Sequence, residues 1–158
     1  MADTSPIDPA NHFRGRSEHS LDEKGRLNIP TRFREVLRLQ HDERLMVSPW
    51  HHCLKVYPVQ QWEKMELQLL EHLKDQPDMK KMIRYMIGGV VECPLDKQGR
   101  IQLPTQLREE AGIGREVVIS GVMTYFEILD KQIWEADNKP TAADFASFEV
   151  SLLQSGLL

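Results

Sequence analysis

The sequence predicts an α+β protein, mainly β, in which two similar half-units form one pseudo-twofold β core, with helices between them and after them. Three observations carry this expectation. Residues 21–35 (LDEKGRLNIPTRFRE) and 95–109 (LDKQGRIQLPTQLRE) are identical at eight of fifteen positions, 74 residues apart. A second match, CLKVYPVQQW at 53–62 against YFEILDKQIW at 125–134, follows at an offset of 72 with Trp62 and Trp134 in register. Finally, a unit of about 45 residues buries too little apolar surface to fold alone, so each copy is expected to complete the core of the other.

The elements follow in order. Residues 1–12 carry two prolines and no periodicity, and are expected as a flexible leader. The first half-unit spans 17–62 and reads as strand, tight turn, strand, short helix, strand, turn, strand. Leu27-Asn28-Ile29 alternates apolar and polar, the period of a half-buried strand. Gly25 supplies the preceding turn, and Pro30 stops the strand and opens a helix carrying Phe33, Val36 and Leu37. Leu45-Met46-Val47 and Leu54-Lys55-Val56-Tyr57 are the closing strands. Residues 63–88 form a helical spacer. One stripe, begun by Trp62, holds Met65, Leu69 and Leu73; a second, beyond Pro77, holds Met79, Met82, Ile83 and Met86. These methionines are expected to fill gaps in the core or between subunits. The second half-unit, 89–134, repeats the first, with Gly99, Ile101-Gln102-Leu103, Pro104 and a helix through Leu107 and Ala111 ended by Gly112. Val117-Val118-Ile119 and Phe126-Glu127-Ile128-Leu129 follow. A tail over 135–158 is expected to be helical through Phe145, Phe148 and Leu152.

At 158 residues the chain is one domain, or two very small ones sharing a core. No apolar run approaches the roughly 18 residues of a membrane span. The first residues lack the basic start and apolar stretch of a secretory signal. Two cysteines, Cys53 and Cys93, give no disulfide framework, and a reducing cytoplasm is expected. The formal net charge of −4 is a poor footprint for nucleic acid taken whole. Its distribution says more. Residues 13–38 carry a net of +3, whereas 127–158 carry −4.

Packing accounts for repeated apolar positions; two repeated polar pairs ask for more. Asp22 and Arg26 recur as Asp96 and Arg100, four apart around Gly25 and Gly99. In one reading the Asp accepts backbone N–H groups of its turn and the Arg pairs with a carboxylate. In the other, the Asp braces the turn while the Arg projects from it. A guanidinium fork matches phosphate oxygens or the O6/N7 edge of guanine.

The run Phe13-Arg14-Gly15, Leu21-Asp22-x-Lys24-Gly25-Arg26-Leu27 and Pro30-Thr31-Arg32 resembles the N-terminal part of the MraZ family. Cys53-Leu54-x-Val56-Tyr57-Pro58, Trp62, Gly88 through Glu92-Cys93, the second repeat, Phe126-Glu127-x-x-Asp130 and Trp134 continue the resemblance over about 13–135. It implies that each half is an AbrB-like swapped-hairpin unit. It also implies that Asp22 with Arg26, and Asp96 with Arg100, are the DNA-contacting elements. A sequence-specific, nucleoid-associated transcriptional regulator is then expected. It would act as a ring oligomer repressing its own division and cell-wall gene cluster from short upstream direct repeats. One fork per half is weak, because a bidentate base contact discriminates by only about 1–3 kcal/mol. Assembly multiplies it without new contacts. Lys24, Lys97, Arg14 and Arg16 are expected as phosphate contacts.

Other classes find less support. His51-His52-Cys53 contains zinc-ligand types but no second cluster follows, so no metal or other cofactor is implied. No G-x-S-x-G, H-E-x-x-H or P-loop is present, and neither an enzyme nor a small-molecule substrate is expected. The alternative is a homo-oligomeric scaffold or adaptor, or an AbrB-like antitoxin, whose Asp-x-x-x-Arg loops pair subunits.

Overall fold

The alternating runs become strands that are exchanged between the two halves. The computed structural model describes residues 12–40, 42–73, 76–137 and 139–158, with the side chain of Leu73 outside this set. The first half contains β1 (Arg16–Ser20), β2 (Arg26–Asn28), α1 (Thr31–Leu39), β3 (Arg44–Trp50), β4 (Cys53–Pro58) and α2 (Val59–Leu73). A 3-10 turn at Pro77–Met79 and α3 (Lys80–Gly89) lead into the second. That half contains β5 (Val91–Pro94), β6 (Arg100–Gln102), α4 (Thr105–Ala111), β7 (Glu116–Val122), β8 (Tyr125–Asp130) and α5 (Lys131–Asp137), and α6 (Ala142–Gln154) follows it. The expected leader, apart from His12, lies outside the described residues.

Six strands form an antiparallel sheet in the order β1-β7-β8-β4-β3-β5. Strand β1 of the first half lies on β7 of the second, and β5 of the second lies on β3 of the first. The order reads the same from either end once equivalent strands are exchanged. A twofold between β4 and β8 requires this, and Lys55 pairs with Glu127 there. The two remaining strands, β2 and β6, pair across the same axis, with Leu27 opposite Ile101. The fold is thus α+β and mainly β, and the strand exchange is the swapped-hairpin arrangement expected of the two half-units.

One apolar core serves both halves. Leu27, Ile29, Ile101 and Leu103 point into it from the β2–β6 ribbon and are at most 2 % exposed. Phe33 from α1, Phe126 from β8 and Phe13 ahead of β1 meet with ring centroids 5.1–5.3 Å apart. Mutually tilted rings at this spacing join electrostatic preference to burial. Phe13 is fixed by a reciprocal pair of backbone bonds to Met123, at 2.7 and 3.0 Å. The two sheet hairpins turn through two residues each, His51-His52 and Met123-Thr124, with His52 and Met123 in the left-handed region.

Helices α1 and α4 both begin directly after the repeated prolines, and α4 ends at Gly112 with φ of 67°. Helices α2 and α3 meet over a second cluster of Tyr57, Trp62 and Met86, joined by half-buried Met65 and Leu69. The second methionine stripe packs less than expected within one chain. Met86 is buried, whereas Met79 and Met82 stand exposed on the outer side of their segment. Helix α6 is real and carries a capping box between Thr141 and Asp144, yet Phe145 and Phe148 on it are exposed.

Candidate nucleic-acid interface

The two repeated loops are built alike from their backbones upward. Gly25 takes φ of 77° and Gly99 of 76°, a conformation that costs L-residues with a Cβ about 1–2 kcal/mol. Each loop closes with the glycine N–H donating to the Asp carbonyl, at 3.0 Å in both. One carboxylate oxygen of Asp22 accepts the N–H groups of Lys24 and Arg26, at 2.9 and 2.8 Å. The other accepts Arg26 Nε–H at 2.5 Å. Asp96 repeats this with Gln98 N and Arg100 N, both at 2.9 Å, and Arg100 Nε at 2.9 Å. Bonds to the charged form hold both carboxyls below the ordinary value. The Arg26 or Arg100 backbone N–H contributes most, partial desolvation opposes it, and the guanidinium adds to it.

The bonds are those of the first reading, a turn-bracing Asp paired with its own Arg. Each Asp braces its own turn and also takes the Nε edge of its Arg. The atom so bonded is Nε, which leaves the two Nη groups of each guanidinium outside this contact, on side chains 34 % exposed at Arg26 and 25 % at Arg100. A guanidinium clamped at Nε has lost much of its rotamer freedom before any ligand arrives.

Pairing of β2 with β6 brings the loops together on the pseudo-twofold axis. Arg26 lies opposite Gln102 and Arg100 opposite Asn28, so all four side chains share the outer face of one two-stranded ribbon. The inner face of that ribbon is the core. Ile29 N donates to Gly99 O at 3.0 Å, and Leu103 N to Gly25 O at 2.9 Å, tying each strand to the opposite loop.

A second repeated pair, Arg34 and Arg108, locks this crossing, and its role is a finding of the structure. Arg34 Nε donates to Ile29 O at 3.1 Å and an Nη to Thr31 Oγ1 at 2.9 Å. Arg108 makes the same bonds to Leu103 O and Thr105 Oγ1, at 3.2 and 3.0 Å. Each guanidinium lies against the glycine of the other half. A Cβ on Gly99 would sit 2.5 Å from Arg34, and one on Gly25 3.1 Å from Arg108. The signal was present in the sequence, since Thr and Arg recur three apart in both copies.

The expected phosphate contacts divide. Lys24 and Lys97 are exposed at the loop tips, beside the ribbon face. Arg14 and Arg16 lie toward the other end of β1, and the Arg16 guanidinium stacks over the Trp134 ring, 4.7 Å from its centroid. Arg14 lines a hollow with Arg32, Thr31 and Glu35 of α1.

Cys53 opens β4 as a buried residue, its Sγ 3.4 Å from Glu127 Oε2, and burial followed by that carboxylate pushes its thiol up to about 12. His51 and His52 form the adjoining hairpin turn. Among the described residues no three His, Cys, Asp or Glu side chains gather as metal ligands, and no helix is long and apolar enough to cross a membrane.

Comparison with known proteins adds the decisive observation. A family model described as "MraZ protein, putative antitoxin-like" matches residues 12–83 and 86–149, once for each half. The chain belongs to the MraZ family. It is 45 % identical over 128 residues to a protein of Syntrophobacter fumaroxidans named transcriptional regulator MraZ, covering 81 % of this chain and 85 % of that one. Proteins of the same name from Desulfitobacterium hafniense and Solidesulfovibrio magneticus are 38 % and 39 % identical. Each alignment covers 92 % of this chain, with 99 % and 97 % of the relative.

Proposed function

We propose that this chain is a sequence-specific DNA-binding transcriptional regulator that reads DNA through Arg26 and Arg100, each braced by its own Asp. The observation that carries this reading is the ribbon face on the axis, where two guanidinium groups, each held at Nε by its own Asp, stand diagonally across one face. A two-stranded ribbon is one of the elements that the major groove of DNA admits, and a fork is the side chain that guanine's O6/N7 edge favours. Lys24 and Lys97 at the loop tips supply phosphate contacts that hold the register. Arg14 and Arg16 supply more peripheral ones.

Two forks give modest affinity, so several copies must act together on repeated boxes. Leu67 and Leu70 on α2, Met82 on α3 and Phe145 and Phe148 on α6 are exposed apolar side chains that favour self-assembly, in our reading into a ring. The regulator binds short direct repeats upstream of its own division and cell-wall genes and represses them, a nucleoid-associated role. No enzymatic step belongs to this reading.

The scaffold alternative asks the loops to bridge subunits. The carboxylates of Asp22 and Asp96 are already occupied by donors of their own turns, which disfavours that use. The test is gel retardation of the upstream repeat DNA over a range of salt. Binding that weakens steeply with salt, and that falls roughly 5- to 150-fold in Arg26→Ala or Arg100→Ala, is expected. Unchanged affinity and salt slope in both variants would overturn the reading.

A further inference from the structure

The pseudo-twofold face is not symmetric in one respect. Arg26 and Arg100 are equivalent and identical, but their cross-strand neighbours, Gln102 and Asn28, are equivalent and different. The difference extends to their bonding. Gln102 Nε2 donates to Lys24 O at 3.0 Å, so this amide is tied down onto the first loop. Among the described residues the amide of Asn28 has no hydrogen-bond partner, although it is exposed on the same face.

A carboxamide offers one donor and one acceptor side by side, the pattern that matches the N6/N7 edge of adenine. Directly opposed side chains on an antiparallel ribbon have Cβ atoms about 4.5–5.5 Å apart. Successive bases on a strand lie about 3.4 Å apart along the helix axis. Neighbouring side chains on the ribbon are therefore spaced to reach neighbouring base pairs. Asn28 stands beside Arg100 with its amide uncommitted, whereas the amide beside Arg26 is engaged.

We infer that Asn28 is a specificity-determining residue that reads an adenine next to the guanine taken by Arg100, which gives the box a direction. The inference rests on the reading of Arg26 and Arg100 as base contacts. A face with identical neighbours around a twofold would favour a palindromic box. One free amide on one side favours an asymmetric box, which tandem copies of the chain then read in a common orientation.

The experiment is selection from a duplex library randomised across one box, followed by sequencing of the bound fraction. Wild type is compared with Asn28→Ala, Asn28→Gln, Gln102→Ala and Arg100→Ala. Asn28→Ala, at an exposed strand position, is expected to keep the guanine preference and lose the neighbouring adenine, with a roughly 5- to 150-fold fall on the wild-type box. Asn28→Gln should restore part of the adenine preference, and Gln102→Ala should leave it in place. Identical base preferences for Asn28→Ala and wild type, with guanine lost in Arg100→Ala, would overturn this inference alone. A wild-type chain that selects nothing, or an Arg100→Ala chain that selects as wild type does, would overturn the underlying reading as well.

Discussion

The two half-units are alike where they cross and different where they do not. At the crossing, Asp22, Gly25, Arg26, Thr31 and Arg34 have identical counterparts in Asp96, Gly99, Arg100, Thr105 and Arg108, with nearly the same hydrogen bonds. Away from it the halves diverge. The helix after the last strand is α2, fifteen residues long and packed on β3 and β4 in the first half, but α5, seven residues long, in the second. Helix α1 ends at Gln40 in ordinary helical geometry, whereas α4 ends on a left-handed glycine. The loop tips read Glu23-Lys24 on one side and Lys97-Gln98 on the other. What the difference teaches is where geometry constrains the chain: a side chain that must fit the other copy's backbone has little freedom, and a tip in solvent has much.

The strongest way to break the likeness is through its centre. Leu27→Ala and Ile101→Ala remove facing side chains that are 0 % and 1 % exposed, and each should cost roughly 2–5 kcal/mol in urea unfolding. Because the pair sits on the axis, the two losses should be similar. A smaller effect with a sharper signature comes from the crossing arginines. Arg34→Ala and Arg108→Ala should each cost about 0.5–1.5 kcal/mol through the lost bonds to the partly buried carbonyls of Ile29 and Leu103. Hydrogen exchange should quicken mainly in the loop of the opposite half, at Gly99 for Arg34→Ala and at Gly25 for Arg108→Ala. Quickening confined to the same half would contradict the exchange of strands.

The carboxyls provide a pH test. Asp22 and Asp96 are held below the ordinary value near 3.8 in the folded protein, so the unfolded chain takes up protons first as pH falls. Their contribution is complete above about 3.8 and is lost as pH falls through the lower folded values. An Asp22→Asn, Asp96→Asn chain should be less stable at neutral pH and show a flatter loss in that acid window. The smallest expected effect concerns the thiols, which occupy unrelated places in the two halves. Burial raises Cys53 to about 12 and Cys93 to about 11, so neither should react appreciably with iodoacetamide at pH 8 until the protein unfolds.

Much of this architecture is legible in the residues alone. The repeat, the turn glycines, the proline helix starts and the Asp-Arg pairs follow from local pattern and spacing. The choice of strand partner does not, because β1 carries the same pattern whether it lies on β3 or on β7. Twist and loop reach decide that, over distances no local window spans. Arg34 and Arg108 were visible as repeated residues, but their purpose lies in a contact with the opposite glycine. The stripe through Met79 and Met82 is a helix pattern that one chain leaves uncovered. Periodicity reveals that a face is apolar and is silent on what covers it.

The exchange of strands also orders events in time. Ser20 on β1 hydrogen-bonds Glu116 on β7, 96 residues later in the chain. At a synthesis rate of 5–20 residues per second, β1 leaves the ribosome on the order of 5–20 s before its sheet neighbour exists. Leu27 likewise waits for Ile101. Neither the sheet edge nor the ribbon can close on a nascent first half. The forks on that ribbon therefore reach their paired arrangement only after the second half has been made.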